Sequence, residues 1–173
     1  MTFQDYLAYF SKQIENPTPP YDQADYAEYT RLNWARTQRW IKSLEVSSAF
    51  DHVVTSPQEW ILITEPWCGD AAHSVPVIQK IAEKNPLVSL RYELRDAAPH
   101  RIEEYLTNGS KSIPKLIVKN QQGEDIFTWG PRPKACQEVF LSMDKEEAKV
   151  ELQKWYNADR GVSTQEELLA LLS

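Results

Sequence analysis

The residue of this chain best placed to do chemistry is a cysteine at a strand-to-helix junction. Cys68 stands in the run Trp67-Cys68-Gly69-Asp70-Ala71, after the apolar stretch Trp60–Thr64 and before a helix-like stretch from Ala71 to Lys84. Amides that open a helix carry partial positive charge. That charge favours thiolate over thiol, and thiolate is the form that attacks a disulfide. A free thiol ionises near pH 8.5, so a drop of about 1.5 units would leave it half ionised at neutral pH, for about 2 kcal/mol of differential interaction. Arg132, just beyond Gly130, would push that way, whereas Asp70 and Glu65 push back as like charges. These residues predict a reactive, moderately tuned thiol. Because residue 71 is alanine, the motif holds no second thiol, and attack on a disulfide would stop at the mixed disulfide. The other cysteine, Cys136, falls on the apolar stripe of a later helix and reads as a buried core residue.

Stepping outward, the elements that must hold Cys68 are legible from periodicity. Trp60–Thr64 is a continuous apolar run of strand length, as in a central strand covered on both faces. The helix after it carries Val75, Ile78, Ile81 and Ala82 on one side and a proline, Pro76, in its interior. Leu87–Leu94 alternates as a strand, which makes a parallel β-α-β unit. A short helix over 99–107 ends near Asn108-Gly109. Lys115–Lys119 and Ile126–Trp129 pair across the turn Asn120–Glu124, and a helix follows Gly130-Pro-Arg-Pro133 as far as Met143.

Upstream, Thr2 and Asp5 form a capping-box pattern for a helix over 2–14 that ends at the proline-rich run 16–21. A longer helix is predicted from Gln23 to Leu44. It mixes Tyr26, Tyr29, Leu32, Trp34, Trp40 and Ile41 with Arg31, Arg36 and Arg39. That mixture suits a binding face, but the preferred reading packs the aromatics on the domain and leaves the arginines solvated. Short or closing helices are predicted over 48–55, over 145–156, and from Ser163, the last with Glu166 completing a second capping box.

Composition narrows the function classes. The 173 residues carry 19 basic and 25 acidic side chains, a net charge of −6, so a general nucleic-acid or anionic-membrane role is disfavoured. No apolar run is long enough to span a bilayer, and the first residues lack a signal-peptide pattern, so the expected location is the cytoplasm. Two cysteines exclude a disulfide framework. His52, His73 and His100 are scattered without ligand spacing, so no metal site is expected.

These residues together resemble the thioredoxin family. Trp67-Cys68-Gly69-Asp70-Ala71 is similar to its Trp-Cys-Gly-Pro-Cys motif. Pro76 falls at its helix-kink proline, Ile113-Pro114 at its cis-proline, and Gly130 at the glycine flanking its substrate groove. The chain also resembles a group of bacterial thioredoxin-like proteins with a helical N-terminal extension. The resemblance implies an α/β thioredoxin-like fold, a mixed sheet flanked by helices on both faces. Residues 1–44 would be the N-terminal extension, 45–143 the domain itself, and 144–173 C-terminal helices packed on it.

For function, the resemblance implies monothiol thiol–disulfide chemistry with Cys68 as nucleophile. Trp67, Gly69, Asp70, Ile113, Pro114, Gly130 and Arg132 would line the binding groove. Partners would be protein or peptide thiols and disulfides, with glutathione as candidate co-substrate and no resident cofactor. Two departures point elsewhere. Ala71 replaces the second cysteine, and Leu62 replaces the buried acid that serves it. Their joint loss suits the alternative, a non-catalytic module that binds a peptide or protein in the same groove.

Overall fold

Strand β1, Gln58–Thr64, is the axis of the sheet, and it is buried from Trp60 onward. Its continuous apolar run requires neighbours on both edges and cover on both faces. β1 pairs in parallel with β2 (Val88–Leu94) and antiparallel with β3 (Lys115–Lys119), and β3 pairs antiparallel with β4 (Asp125–Trp129). The order is therefore β2-β1-β3-β4, with Trp60 opposite Leu90 on one side and Val118 on the other. Between β3 and β4, the Asn120 side chain accepts from the amides of Gln122 and Glu124, each at 2.9 Å, and closes the turn. The computed structural model describes residues 1–173, apart from the side chain of Lys145.

Six helices surround this sheet: α1 (Phe3–Glu15), α2 (Ala24–Ser43), α3 (Gly69–Glu83), α4 (Lys134–Leu141), α5 (Lys145–Asp159) and α6 (Val162–Leu172). The capping box at the start of α1 forms as its residues dictate, with Thr2 and Asp5 each satisfying the other's amide. Phe3 and Tyr6 of α1 stack on Tyr92 of β2 at 5.6 and 5.2 Å. The α3 crossover runs as one helix through Pro76. It begins at Gly69, two residues earlier than the apolar pattern suggests, so Cys68 is its N-cap.

Three expectations are corrected. The helices predicted over 48–55 and 99–107 are single 3-10 turns, Ser48–Asp51 and Arg101–Glu104. The first ends at Asp51, and beyond it the Asn85 side chain donates to the carbonyls of Asp51 and Val54 at 3.4 and 2.9 Å. The second begins only after His100, which is left-handed at φ 57°. The second capping box does not form. Gly161 caps α6 at φ +80°, and the Ser163 amide donates to Asp159 instead. A side chain at Gly161 would press on Val77, so the residue there is fixed by both backbone angle and space.

The main apolar cluster joins the sheet to α1, α2, α3 and α6. It contains Tyr6 and Phe10 of α1, Trp40 of α2, Trp60–Ile63 of β1, Ile78 and Ile81 of α3, Leu116–Val118 of β3 and Leu168 of α6. A second, smaller cluster, Cys136 with Leu152 and Tyr156, joins α4 to α5.

Candidate functional site

β1 delivers the motif to the start of α3. Cys68 has an extended backbone (φ −80°, ψ 119°), its amide donates to Glu65, and its carbonyl takes the Ala72 amide, the first turn of the helix. Cys68 is only 7% exposed, and its thiol donates to the Ile113 carbonyl at 3.3 Å. Burial pushes its pKa up to about 12, and the Asp70 carboxylate pushes the same way. The Ala71 and Asp70 amides and the Arg132 charge oppose the rise without reversing it. This corrects the expectation of a moderately tuned, partly ionised thiol. Helix-terminal amides are worth a fraction of what desolvating a thiolate costs.

Ile113–Pro114 is a cis peptide bond, and Gly130 lies directly against it. Gly130 has φ +110°, and a Cβ there would overlap the Pro114 carbonyl oxygen, so only glycine fits. Cys68, Ile113, Pro114 and Gly130 therefore form one junction at the ends of β1, β3 and β4. The other named residues, Trp67, Gly69, Asp70 and Arg132, face a different space.

Asp70 is an anion in the first turn of α3, where the helix dipole favours it. Its carboxylate pairs with Arg132 at 2.8 Å and accepts from the Tyr156 hydroxyl at 2.8 Å. Burial holds it above its ordinary value, and these two partners pull it back. Arg132 also donates to Gln137 at 2.9 Å and lies 4.0 Å over the Phe140 ring. It is thus paired with Asp70 and packed on α4, while its charge still lowers the Cys68 pKa in the expected direction without offsetting burial. Tyr156 belongs to α5, so a helix outside the predicted thioredoxin-like segment covers the motif.

His73, one turn into α3, ties both additions together. Its Nδ1 accepts from Trp40 of α2 at 2.9 Å, which places its proton on Nε2, and Nε2 donates to Gln153 of α5 at 2.9 Å. The ring stacks on Tyr156 at 4.3 Å. Burial pushes its pKa down to about 4, so it is neutral at physiological pH. Among the described residues, no group of three His, Cys, Asp or Glu side chains is placed to hold a metal ion.

Between α2, the motif, α4 and α5 lies a cavity of about 350 Å³. Its walls include Tyr26, Trp67, Phe140 and Leu152, and its polar lining includes Arg36 and Gln153. Tyr26 meets Trp67 edge-on at 5.8 Å, and the Arg95 guanidinium lies over the Trp67 ring, 4.6 Å from its centroid. The packing assigned to α2 is therefore half right. Trp40 is buried and Trp34 meets Phe10 at 5.2 Å, but Tyr26, Tyr29 and Arg36 line this cavity. Gln153, Tyr156 and Phe140 were invisible as site residues, because their partners stand far away in the sequence.

Comparison with known proteins fits this geometry. A thioredoxin family model matches residues 20–156. The chain belongs to the thioredoxin family. Two solved structures share the thioredoxin-like fold at 14% identity. One is a protein of unknown function from Pseudomonas aeruginosa, TM-score 0.61, with 86% of this chain and 90% of that one covered. The other is an HIV epitope-scaffold, TM-score 0.60, with 99% and 98% covered. No curated protein matches the chain. As a thioredoxin-family member it buries both positions at which the sequence resemblance marks a departure. Ala71 is 1% exposed and Leu62 fully buried, both inside the main apolar cluster. Cys136 is fully buried beside Leu152 and Tyr156, and burial pushes its thiol up to about 12. Among the described residues, no helix is long and apolar enough to cross a membrane.

Proposed function

We propose that this chain is a thioredoxin-fold binding module that holds a peptide or protein segment at the Cys68–Ile113 junction, with Cys68 acting as a thiol. The observation that carries this reading is the closed Cys68 thiol, hydrogen-bonded to Ile113 and pushed up to about 12. A nucleophile needs the thiolate, and at neutral pH a thiol of that pKa has almost none. The missing second cysteine agrees, since a mixed disulfide formed here would have no internal exit. In this reading an extended segment pairs with the main-chain groups at the Ile113–Pro114 and Gly130 corner that the Cys68 thiol leaves free, with side-chain contacts supplying specificity. Affinity capture with wild type and Cys68→Ser tests the reading. It stands if the same partners are retained without the thiol, and falls if partners are held only as reducible adducts of the wild type.

One observation supports a second reading, monothiol exchange in the cytoplasm. The Asp70 and Ala71 amides, at the start of α3, lower the Cys68 pKa, and so favour the anion once it is formed. In that reading the Cys68 thiolate attacks one sulfur of a glutathione or protein disulfide, the S–S bond breaks and the other sulfur leaves as thiolate. For a protein disulfide, a glutathione thiolate then attacks the substrate sulfur of the mixed disulfide, forming a glutathione–substrate disulfide and releasing Cys68 as thiolate. Measuring the rate of Cys68 with glutathione disulfide decides it. A rate above that of a small free thiol at pH 7 favours exchange, and a slower one excludes it.

A further inference from the structure

We propose that the cavity between α2, the motif and α5 is a second ligand site, specific for a small carboxylate carried on a planar apolar body. The site does not depend on the peptide-binding reading, because none of the junction residues Cys68, Ile113, Pro114 and Gly130 lines it. Its volume, about 350 Å³, is at the small end of ligand pockets, which run from roughly 300 to 1,000 Å³. Tyr26, Trp67 and Phe140 supply aromatic surface for a flat body.

The anion preference follows from which polar groups have capacity to spare. Asp70 has none, being neutralised by Arg132 and capped by Tyr156. Arg36 is half-buried and donates to the neutral Asn33 amide oxygen at 2.9 Å, with no carboxylate in ion-pair range among the described residues. A desolvated guanidinium without a counter-ion is costly, and a ligand carboxylate offers it paired, charge-assisted hydrogen bonds. Burial and the neighbouring Arg39 depress the Arg36 pKa, which is the direction a missing counter-anion produces. Gln153 uses its oxygen on His73, which leaves its NH2 facing Gly69 with no acceptor among the described residues. Lys149 adds a cation at the mouth, shared with Glu146 in an exposed pair. The opposing carboxylate in the lining, Asp25, is exposed at the rim, where water screens it. Inside the cavity the unspent groups are therefore donors.

The same chemistry can come from a free aromatic acid or from a peptide ending in an aromatic residue. Calorimetric titration of the full chain with phenylacetate, phenylacetamide and phenethylamine tests the class. Saturable binding of phenylacetate, at least about tenfold tighter than the amide and tighter still than the amine, is expected. Arg36→Gln should weaken phenylacetate about tenfold and leave the amide unchanged, so each variant carries its own folding control. Cys68→Ser should leave all three titrations unchanged, which separates this site from the peptide junction. A short peptide ending in phenylalanine with a free carboxylate identifies the source. Tighter binding than phenylacetate assigns a chain terminus, and weaker binding a free acid. Equal binding of acid and amide, preference for the amine, or no saturable binding at millimolar ligand would overturn the proposal.

Discussion

At the residue scale, the electrostatics of Cys68 turn on its neighbour Asp70. Thiolate formation in the wild type meets burial first and the Asp70 charge second. Alkylation of Cys68 by iodoacetamide should therefore rise about tenfold per pH unit from 7 to 10 without levelling, whereas a free thiol levels above about 8.5. Asp70→Asn removes the repelling charge and releases Arg132, so the thiol should become more acidic and the rate at pH 7 should rise several-fold. An unchanged rate would show that burial alone sets the thiol. Gly130→Ala makes a different demand. It forces a Cβ onto the Pro114 carbonyl at a left-handed φ, and should destabilise by about 3 kcal/mol or more in a denaturant melt. The sequence disclosed Cys68, Pro114 and Gly130 because each is a special residue type at a characteristic place. It did not disclose that Arg132 serves Asp70, since that pairing depends on how α4 docks.

At the scale of elements, His73 is the joint between α2, α3 and α5. Its folded pKa, about 4, lies below the ordinary 6.5, so the unfolded chain binds the extra proton as pH falls. The stability this neutral imidazole contributes is complete above pH 6.5 and is lost as pH falls toward 4, in total about 3 kcal/mol. Glu65 and Asp70, whose folded values are raised, carry the opposite sign, since protonation costs them less when folded. Comparison with His73→Gln, which donates and accepts but does not titrate here, isolates the histidine. The stability gap between wild type and this variant should narrow steadily from pH 7 to pH 4. A gap that is constant with pH would mean that His73 is not the titrating joint. Element positions were largely legible because apolar periodicity and proline breaks are local signals. The two failed short helices lost to contacts that no local pattern encodes, such as Asn85 capturing the carbonyl of Val54.

At the scale of the molecule, the additions at both ends are built into the motif. Tyr21 of the segment before α2 donates to Glu65, just ahead of Trp67, and Asn33 of α2 donates to the Pro66 carbonyl at 3.1 Å. Tyr156 of α5 holds Asp70 from the other side. The thioredoxin landmarks from Pro76 to Gly130 could be read from the sequence, but this enclosure could not, because it joins residues far apart along the chain. It has a testable consequence. The core cluster takes Tyr6, Phe10 and Trp40 from the first 44 residues and Leu168 from the last helix, and these cover Tyr92 and the α3 face. A fragment of residues 45–143 would expose that surface and leave His73 without Trp40 or Gln153. Buried apolar area contributes roughly 25 cal/mol per Å², and total domain stability is only about 5–15 kcal/mol, so losing several large side chains removes most of the margin. The fragment is expected to lack a cooperative thermal transition by circular dichroism, while the full chain melts in one step. Cooperative melting of the fragment would instead make 1–44 and 144–173 separable covers, and the ligand cavity between them a later addition to an autonomous fold.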